Sequence, residues 1–439
     1  MRIFTGGRSC WTLFAAVPFL FGILISVARA QPAPVPPAPI LTVERAVSIA
    51  LQDNPGLGQI SARANAAAAL PGQKGALPDP AISFRAQNLP TNSFDLDQEP
   101  MTQMQFGLSQ AFPFPGKLRL RERAARHDAD ATAAEVTEAR LALVRDVRAG
   151  WWEAFYLDRA IESVARNQEL LRGLVDIART KYEVGQGLQQ DVLLAEVELS
   201  KLLDQRIGLK SARRSAAARL NTLLDWPANQ PVTLPTSAEP VFPTPPAETI
   251  LFEMAESSRP MLIALQSRIA AARAMRKLAK RDYFPDFKVN ATYGIREEDG
   301  MNRDRPNFLS VGLDVTVPLY AGRKQSNAVA QRSAELNSAQ LAYADAAGRV
   351  GAQITDAAAR FAEAREQTVL FEAGILPQAR QTVEAMRSGY LVNKVDFLNL
   401  VSSQMTLYNY ETRYWRVLSN ANTALATLAA AAGKETFDE

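Results

Sequence analysis

The chain has one cysteine and one histidine in 439 residues, Cys10 and His127. Two such side chains cannot supply a disulfide framework, a thiolate or imidazole metal cage, or a thiol-based catalytic centre. The plentiful Ser, Asp and Glu residues fall into no catalytic constellation, so no enzyme activity, resident metal or cofactor is expected. His127 lies on an Arg- and Asp-rich helical stretch and reads as a solvated surface residue. Long apolar runs are scarce as well. Beyond residue 30 no segment approaches the roughly 20 apolar residues of a spanning helix, which excludes a polytopic inner-membrane protein.

Residues 1–30 carry a secretory signal. Arg2 and Arg8 precede an apolar stretch from Trp11 to Val27, and Ala28-Arg29-Ala30 forms a small-x-small cleavage site. The alternative is a membrane anchor, against which stand the short stretch and its Pro18 and Gly22. Cleavage after Ala30 removes three arginines, no acids and Cys10, leaving 46 basic and 46 acidic residues. The mature chain is therefore neutral and gives no nucleic-acid signal. Cys10 precedes the apolar stretch instead of following it, so a lipoprotein is not expected.

The remainder reads as an internal duplication offset by about 205 residues. Asn54-Pro55 matches Arg259-Pro260, Pro78-Asp79 matches Pro285-Asp286, and Phe106-Gly107-Leu108 before Pro113 matches Val311-Gly312-Leu313 before Pro318. Lys181-Tyr182-Glu183-Val184-Gly185 matches Gly389-Tyr390-Leu391-Val392-Asn393. The organisation is a Pro-rich leader (31–40), a first repeat (41–225), a Pro-rich connector (226–247), a second repeat (248–433) and a tail (434–439).

Each repeat holds two strands with strict alternation, expected at about 80–90 and 102–112, then at about 286–296 and 308–317. Ile82, Phe84 and Ala86 oppose Ser83, Arg85 and Gln87, and Met104, Phe106 and Leu108 oppose Gln103, Gln105 and Gly107. In the second repeat, alternate residues from Phe287 to Ile295 and from Leu309 to Val317 are apolar. One apolar and one polar face over about ten residues is the pattern of an outer-membrane barrel strand. An open sheet edge in lipid leaves backbone groups unpaired. Four strands fall short of the roughly eight-strand minimum, so several copies would share one barrel. Ile82, Phe106, Val289 and Val311 are expected to face lipid, and Arg85, Gln105, Lys288 and Asp314 the lumen.

The helical parts come in two lengths. A long helix is expected from Lys117 to Tyr182, and its counterpart from Lys324 to Tyr390 is expected to kink or break at Pro377. Shorter helices are expected at 41–52 (with Thr42 as N-cap), 56–77, 188–224, 260–283 and 395–432. The first long helix repeats every seven residues through Leu143, Gly150, Leu157, Val164, Leu171 and Ala178, with Gln168 a polar exception in the second seam. The last helix has two apolar seams, one through Val401, Met405 and Tyr408 and one through Leu400, Leu407 and Leu418. Two seams suit a helix flanked on both sides in a curved wall, although burial in an ordinary bundle would also use them.

This order of elements resembles the TolC family of outer-membrane efflux channels over Leu41 to Gly433. The resemblance rests on Leu41-Thr42-Val43-Glu44-Arg45-Ala46, the two Tyr–x–Val turns and the duplicated strand pairs. Ser109-Gln110-Ala111-Phe112-Pro113-Phe114-Pro115-Gly116-Lys117 looks like the branch that serves cobalt–zinc–cadmium exporters, while Pro and Gly would suit a strand-to-helix turn in any branch. The resemblance implies a mainly α protein with a small β-barrel part: a homotrimer with a twelve-stranded barrel in outer-membrane lipid, continued by a long periplasmic helical barrel. It implies a passive conduit with a periplasmic adaptor and an inner-membrane RND-type pump as partners, the substrate being metal cations, drugs or other solutes. It also places function at two helix reversals. Tyr182, Gly185, Asp191, Tyr390 and Asn393 would contact the adaptor, and Tyr390, Asp396 and Asn399 would form the periplasmic gate. Pro113, Gly116, Pro318 and Gly322 would shape the strand-to-helix turns. The bland alternative for Asp396 is a helix cap, and the second reversal reads as three residues shorter than the first. Competing functions are a type I protein-secretion channel and, in another class, a soluble periplasmic coiled-coil adaptor or scaffold.

Overall fold

The computed structural model describes residues 40–238, 242–298, 301 and 303–437. The expected signal, nearly all of the leader, residues 239–241 of the connector and the last two of the tail lie outside the described residues.

Each repeat begins with a short helix that breaks at a proline. In α1 (Val43–Asp53), the Thr42 hydroxyl accepts from the Arg45 N–H as expected of an N-cap. Asn54 caps α2 (Pro55–Ala68), and a six-residue α3 (Leu70–Gly75) follows. The stretch expected as a helix over 56–77, in which Pro71, Gly72 and Gly75 are helix breakers, is two helices divided just before Pro71. Strands β1 (Ala81–Gln87) and β2 (Gln103–Phe112) lead into α4 (Lys117–Glu183) and α5 (Gln189–Leu223). At 1.5 Å per residue, α4 is about 100 Å long.

The second repeat follows the same order. Helix α6 (Glu248–Ser258), the counterpart of α1, was not expected from the sequence; α7 (Pro260–Arg281), β3 (Asp286–Ile295) and β4 (Phe308–Thr316) follow. Helix α8 (Lys324–Leu370) continues through a π turn (Phe371–Ile375) into α9 (Leu376–Leu391), and α10 (Phe397–Ala431) ends the repeat. Pro377 therefore does not interrupt the long helix. The wider turn ahead of it accommodates the proline, which has no N–H to give.

The duplication extends to single contacts. The Asn54 side chain donates to the Leu223 carbonyl at the end of α5, and Arg259 donates from the equivalent place to the Ala430 carbonyl at the end of α10. Both bonds satisfy carbonyls that a helix end leaves without an intrahelical partner.

The four strands form one antiparallel sheet in the order β1-β2-β3-β4. Ile82 pairs with Leu108 and Phe84 with Phe106; Phe106 in turn pairs with Tyr293, and Val289 with Leu313. Paired residues share a face, so the expected apolar sides of all four strands merge into one surface. Below the sheet, α4 packs against α2, α3 and α7 over its first part and against α5 and α10 over its second. Leu143, Val147, Leu157, Val164, Leu171 and Ala178 of the heptad are buried. Burying each leucine or valine contributes about 1.5–3 kcal/mol. The polar exception Gln168 is also buried, and accepts from Arg206 of α5. Helix α10 packs on two sides: Leu400, Val401 and Tyr408 join one buried cluster with α4 and α5, and Val417 and Ala421 join another with α8 and α9, so the two expected seams are not divided between the two neighbours. Trp151 anchors the middle of α4, donating from Nε1 to the Leu41 carbonyl at 2.9 Å and stacking on Phe155.

Candidate functional site

Two helix reversals lie side by side at the end of the molecule remote from the sheet. Both end in the same backbone motif. Gln186 N–H donates to the Lys181 carbonyl and Gly185 N–H to the Tyr182 carbonyl; Lys394 repeats the first bond on Gly389, and Asn393 the second on Tyr390. This is the Schellman arrangement, which needs a left-handed residue after the helix. Gly185 (φ 71°) and Asn393 (φ 58°) supply it. Asparagine tolerates that region better than other side-chain-bearing residues, so the missing glycine at 393 changes nothing in the turn. The connecting segments, 184–188 and 392–396, are each five residues long. The expectation that the second is three residues shorter is therefore corrected. The fold sets Asp191 opposite Asn399 and Leu188 opposite Asp396, in the same register that matches Gly185 to Asn393.

Lys181 joins the two reversals, and sequence reasoning missed its role. Its Nζ donates to the Tyr390 carbonyl at 2.8 Å and to the Asn393 side-chain oxygen at 2.6 Å, and lies 4.1 Å from the centre of the Tyr390 ring. The Tyr390 side chain is buried against Phe397 and does not present its ring to solvent, whereas Tyr182 is exposed. Asp396 occupies the N-cap position of α10 but makes no side-chain cap bond. Asp396 and Asn399 are exposed, and Asp191 is half-buried. Burial raises the Asp191 carboxyl above the ordinary carboxylate value, and the nearby Asp396 charge adds to the rise. Burial likewise raises the Tyr390 phenol, helped by Asp191 and then Asp396. Asp191, Asp396 and Lys181 thus interact at the tip, where Glu183 and Lys394 also lie exposed.

At the other end the apolar strand face stays uncovered. Ile82 is 85% exposed, Val311 73% and Leu309 71%, with Phe106 and Val289 also exposed. A contiguous apolar surface of this kind marks a membrane or protein interface. The opposite face carries Arg85, Gln105, Lys288 and Asp314, alternating with the apolar set along each strand.

Where strand becomes helix, Pro113 ends β2 and Gly116 takes φ 90° as the residue before α4. In the second repeat, Pro318 follows β4, and Gly322 lies in the turn without a positive φ. The first turn is held by Lys117, another residue the sequence did not single out. It is 3% exposed. Its Nζ meets Asp286 at 2.9 Å, Asp282 at 3.3 Å and the Phe284 carbonyl at 3.2 Å. Asp286 also accepts from the Phe114 N–H at 2.7 Å, and the Phe114 ring stacks on Phe284. A buried ammonium is tolerated only with partners of this kind.

A four-stranded sheet with a lipid-type face, set on a wall of long paired helices that reverse at a charged tip, defines the class of outer-membrane conduits. The chain belongs to the outer membrane efflux protein family, which matches residues 46–225 and 251–434. Among curated relatives it is 24% identical, over 70% of its length and 72% of theirs, to the cobalt-zinc-cadmium resistance protein CzcC of Cupriavidus metallidurans. Among solved structures it is similar to VceC of Vibrio cholerae (TM-score 0.75, 18% identity, 90% of this chain and 97% of that one). It is also similar to the open state of the MtrE channel of Neisseria gonorrhoeae (TM-score 0.76, 16% identity, 90% and 91%). The protein is an efflux exit channel of the outer membrane, as the family and these relatives have it.

Proposed function

We propose that three copies close into a twelve-stranded barrel continued by a tunnel of helices, forming the passive exit duct of a tripartite efflux system for heavy-metal cations. The observation that carries this reading is the sheet: its apolar face is uncovered and its outer strands, β1 and β4, each pair on one side only. An unpaired edge within lipid costs several kcal/mol per unsatisfied group. Pairing β4 of one copy with β1 of the next removes both edges at once. The helices continue the same two borders, with α2, α3 and α5 on one side and α8 and α9 on the other. Ile207 on α5 and Leu370 at the end of α8 are both exposed.

The mature chain starts after Ala30. A periplasmic adaptor engages the tips around Tyr182, Gly185, Asp191, Tyr390 and Asn393, and an RND-type pump supplies the energy. Asp396 and Asn399, both exposed, form the gate, with Tyr390 buried behind them as support. Similarity to a cobalt-zinc-cadmium resistance protein supports metal cations as the cargo. With one histidine in the whole chain, metal choice would rest with the pump or adaptor. Deleting the gene tests the reading. Sensitivity to cobalt, zinc and cadmium, restored by the intact gene, is expected. Unchanged metal tolerance with loss of a secreted protein would favour the secretion channel instead.

A further inference from the structure

The buried Lys117–Asp286 pair joins the two repeats within one chain: Lys117 begins α4 of the first repeat and Asp286 begins β3 of the second. The same parts recur at the free borders. Lys324 begins α8 after β4, as Lys117 begins α4 after β2. Asp79 follows Pro78 just ahead of β1, as Asp286 follows Pro285 at the start of β3. Both residues are exposed, and among the described residues neither has an ion-pair partner. Their charges are opposite, and they lie at opposite edges of the sheet, too far along the strand order to meet in one chain.

The apolar surroundings recur too. Phe284 precedes Pro285 and stacks on Phe114. Leu77 precedes Pro78 and is 50% exposed, while Leu319 and Tyr320, in the turn matching Phe114, are 82% and 78% exposed. Strand direction fits as well. Phe112 at the end of β2 pairs with Phe287 at the start of β3. An antiparallel β4–β1 pair between copies brings the end of β4 to the start of β1, and Lys324 to Asp79.

We propose that the seam between neighbouring copies is locked by an ion pair between Lys324 and Asp79 of a second copy, with Leu319 and Tyr320 packing on its Leu77. The lock repeats between chains the Lys117–Asp286 contact made within each chain. One acid is missing, since Gly75 stands where the second repeat has Asp282. The seam pair is accordingly the weaker of the two kinds of joint, and the oligomer separates there before the repeats part. The inference rests on the closed-ring reading above.

Two experiments on the full-length protein in membranes test it. In D79C/K324C, a short bismaleimide is expected to give covalent dimers and trimers that survive boiling, and either single cysteine variant none. In the charge exchange, Asp79→Lys and Lys324→Asp are each expected to lower the temperature at which the oligomer dissociates by several degrees, with the double exchange recovering at least half of the loss. A native mass of three copies without cross-linking, or a double exchange no better than the worse single one, overturns the lock while leaving the trimer standing. Cross-linked rings of another copy number overturn the trimer and keep the lock. A monomer that never cross-links overturns both.

Discussion

The Lys181 ammonium lies 2.6 Å from the side-chain oxygen of Asn393, 212 residues on in sequence, and ties the two helix reversals together. With its second bond to the Tyr390 carbonyl, one side chain from the first repeat satisfies two acceptors on the second. Lys181→Met keeps the length of the stem and removes the charge. It is expected to cost the tip about 1–2 kcal/mol, the worth of charge-assisted hydrogen bonds discounted for partial exposure. Planar-bilayer recordings should show a higher open fraction than wild type. An unchanged open fraction would mean that helix packing alone holds the tip.

Gly185 separates backbone strain from crowding. It sits at φ 71°, and no heavy atom lies within 4 Å of where a Cβ would stand. Gly185→Ala therefore meets no clash, and its cost is that of a left-handed alanine, about 1–2 kcal/mol. Gly185→Asn is expected to be nearly neutral, because Asn393 already does the same work in the second turn. Hydrogen exchange of the amides at the end of α4 reads the difference. Equal protection in the alanine and asparagine variants would count against the conformational account.

Much of this architecture is legible in the sequence because it is written in short periods. The strand faces follow from alternation at period two, and Thr42 announces α1 by its place before an amphipathic run. Other parts depend on long-range pairing, which no local period records. Lys117 looks like one more basic residue until the fold brings Asp286 to it. Helix α6 buries only Leu251 and Ala255 on one short stripe, too little to stand out between a Pro-rich connector and Arg259-Pro260. The length of the second reversal is not written in any local period, because where α10 begins depends on how Phe397 packs. The left-handed pair, Gly185 and Asn393, gives the register directly.

Val289 lies in β3, opposite Leu313, on the uncovered apolar face. If it stands near the bilayer midplane, Val289→Arg is expected to destabilise the inserted protein by about 2–4 kcal/mol. The neighbouring Lys288, on the opposite face, should accept Arg with little effect. Urea unfolding from vesicles compares the two. The mature sequence, which would lose its sole cysteine with the signal, also allows single-cysteine labelling. Membrane-impermeant thiol reagents should modify K288C faster than V289C, and equal rates would refute the assignment of faces.

The acidic pair at the tip makes the last prediction. Asp396 is exposed, and three copies would set three such carboxylates around one axis. Their fields should draw cations into the entrance, and salt should screen the effect. Asp396→Asn is expected to weaken cation selectivity most at low ionic strength, read as a shift in reversal potential across a salt gradient. Asp191 adds a pH dependence. Its folded carboxyl titrates above the ordinary value of 3.8, because burial and then the Asp396 charge disfavour ionisation. Between those two values the folded state holds more protons than the unfolded one. Stability contributed by this group is therefore complete below the ordinary value and is lost as pH rises through the folded one. Mild acid should firm the tip, and Asp191→Asn should flatten that response. Asp396→Asn should reduce it in part, since only the charge contribution is removed. Dissociation temperature followed against pH, with each variant beside wild type, measures the slope, and an unaltered slope in Asp191→Asn would assign it to other groups.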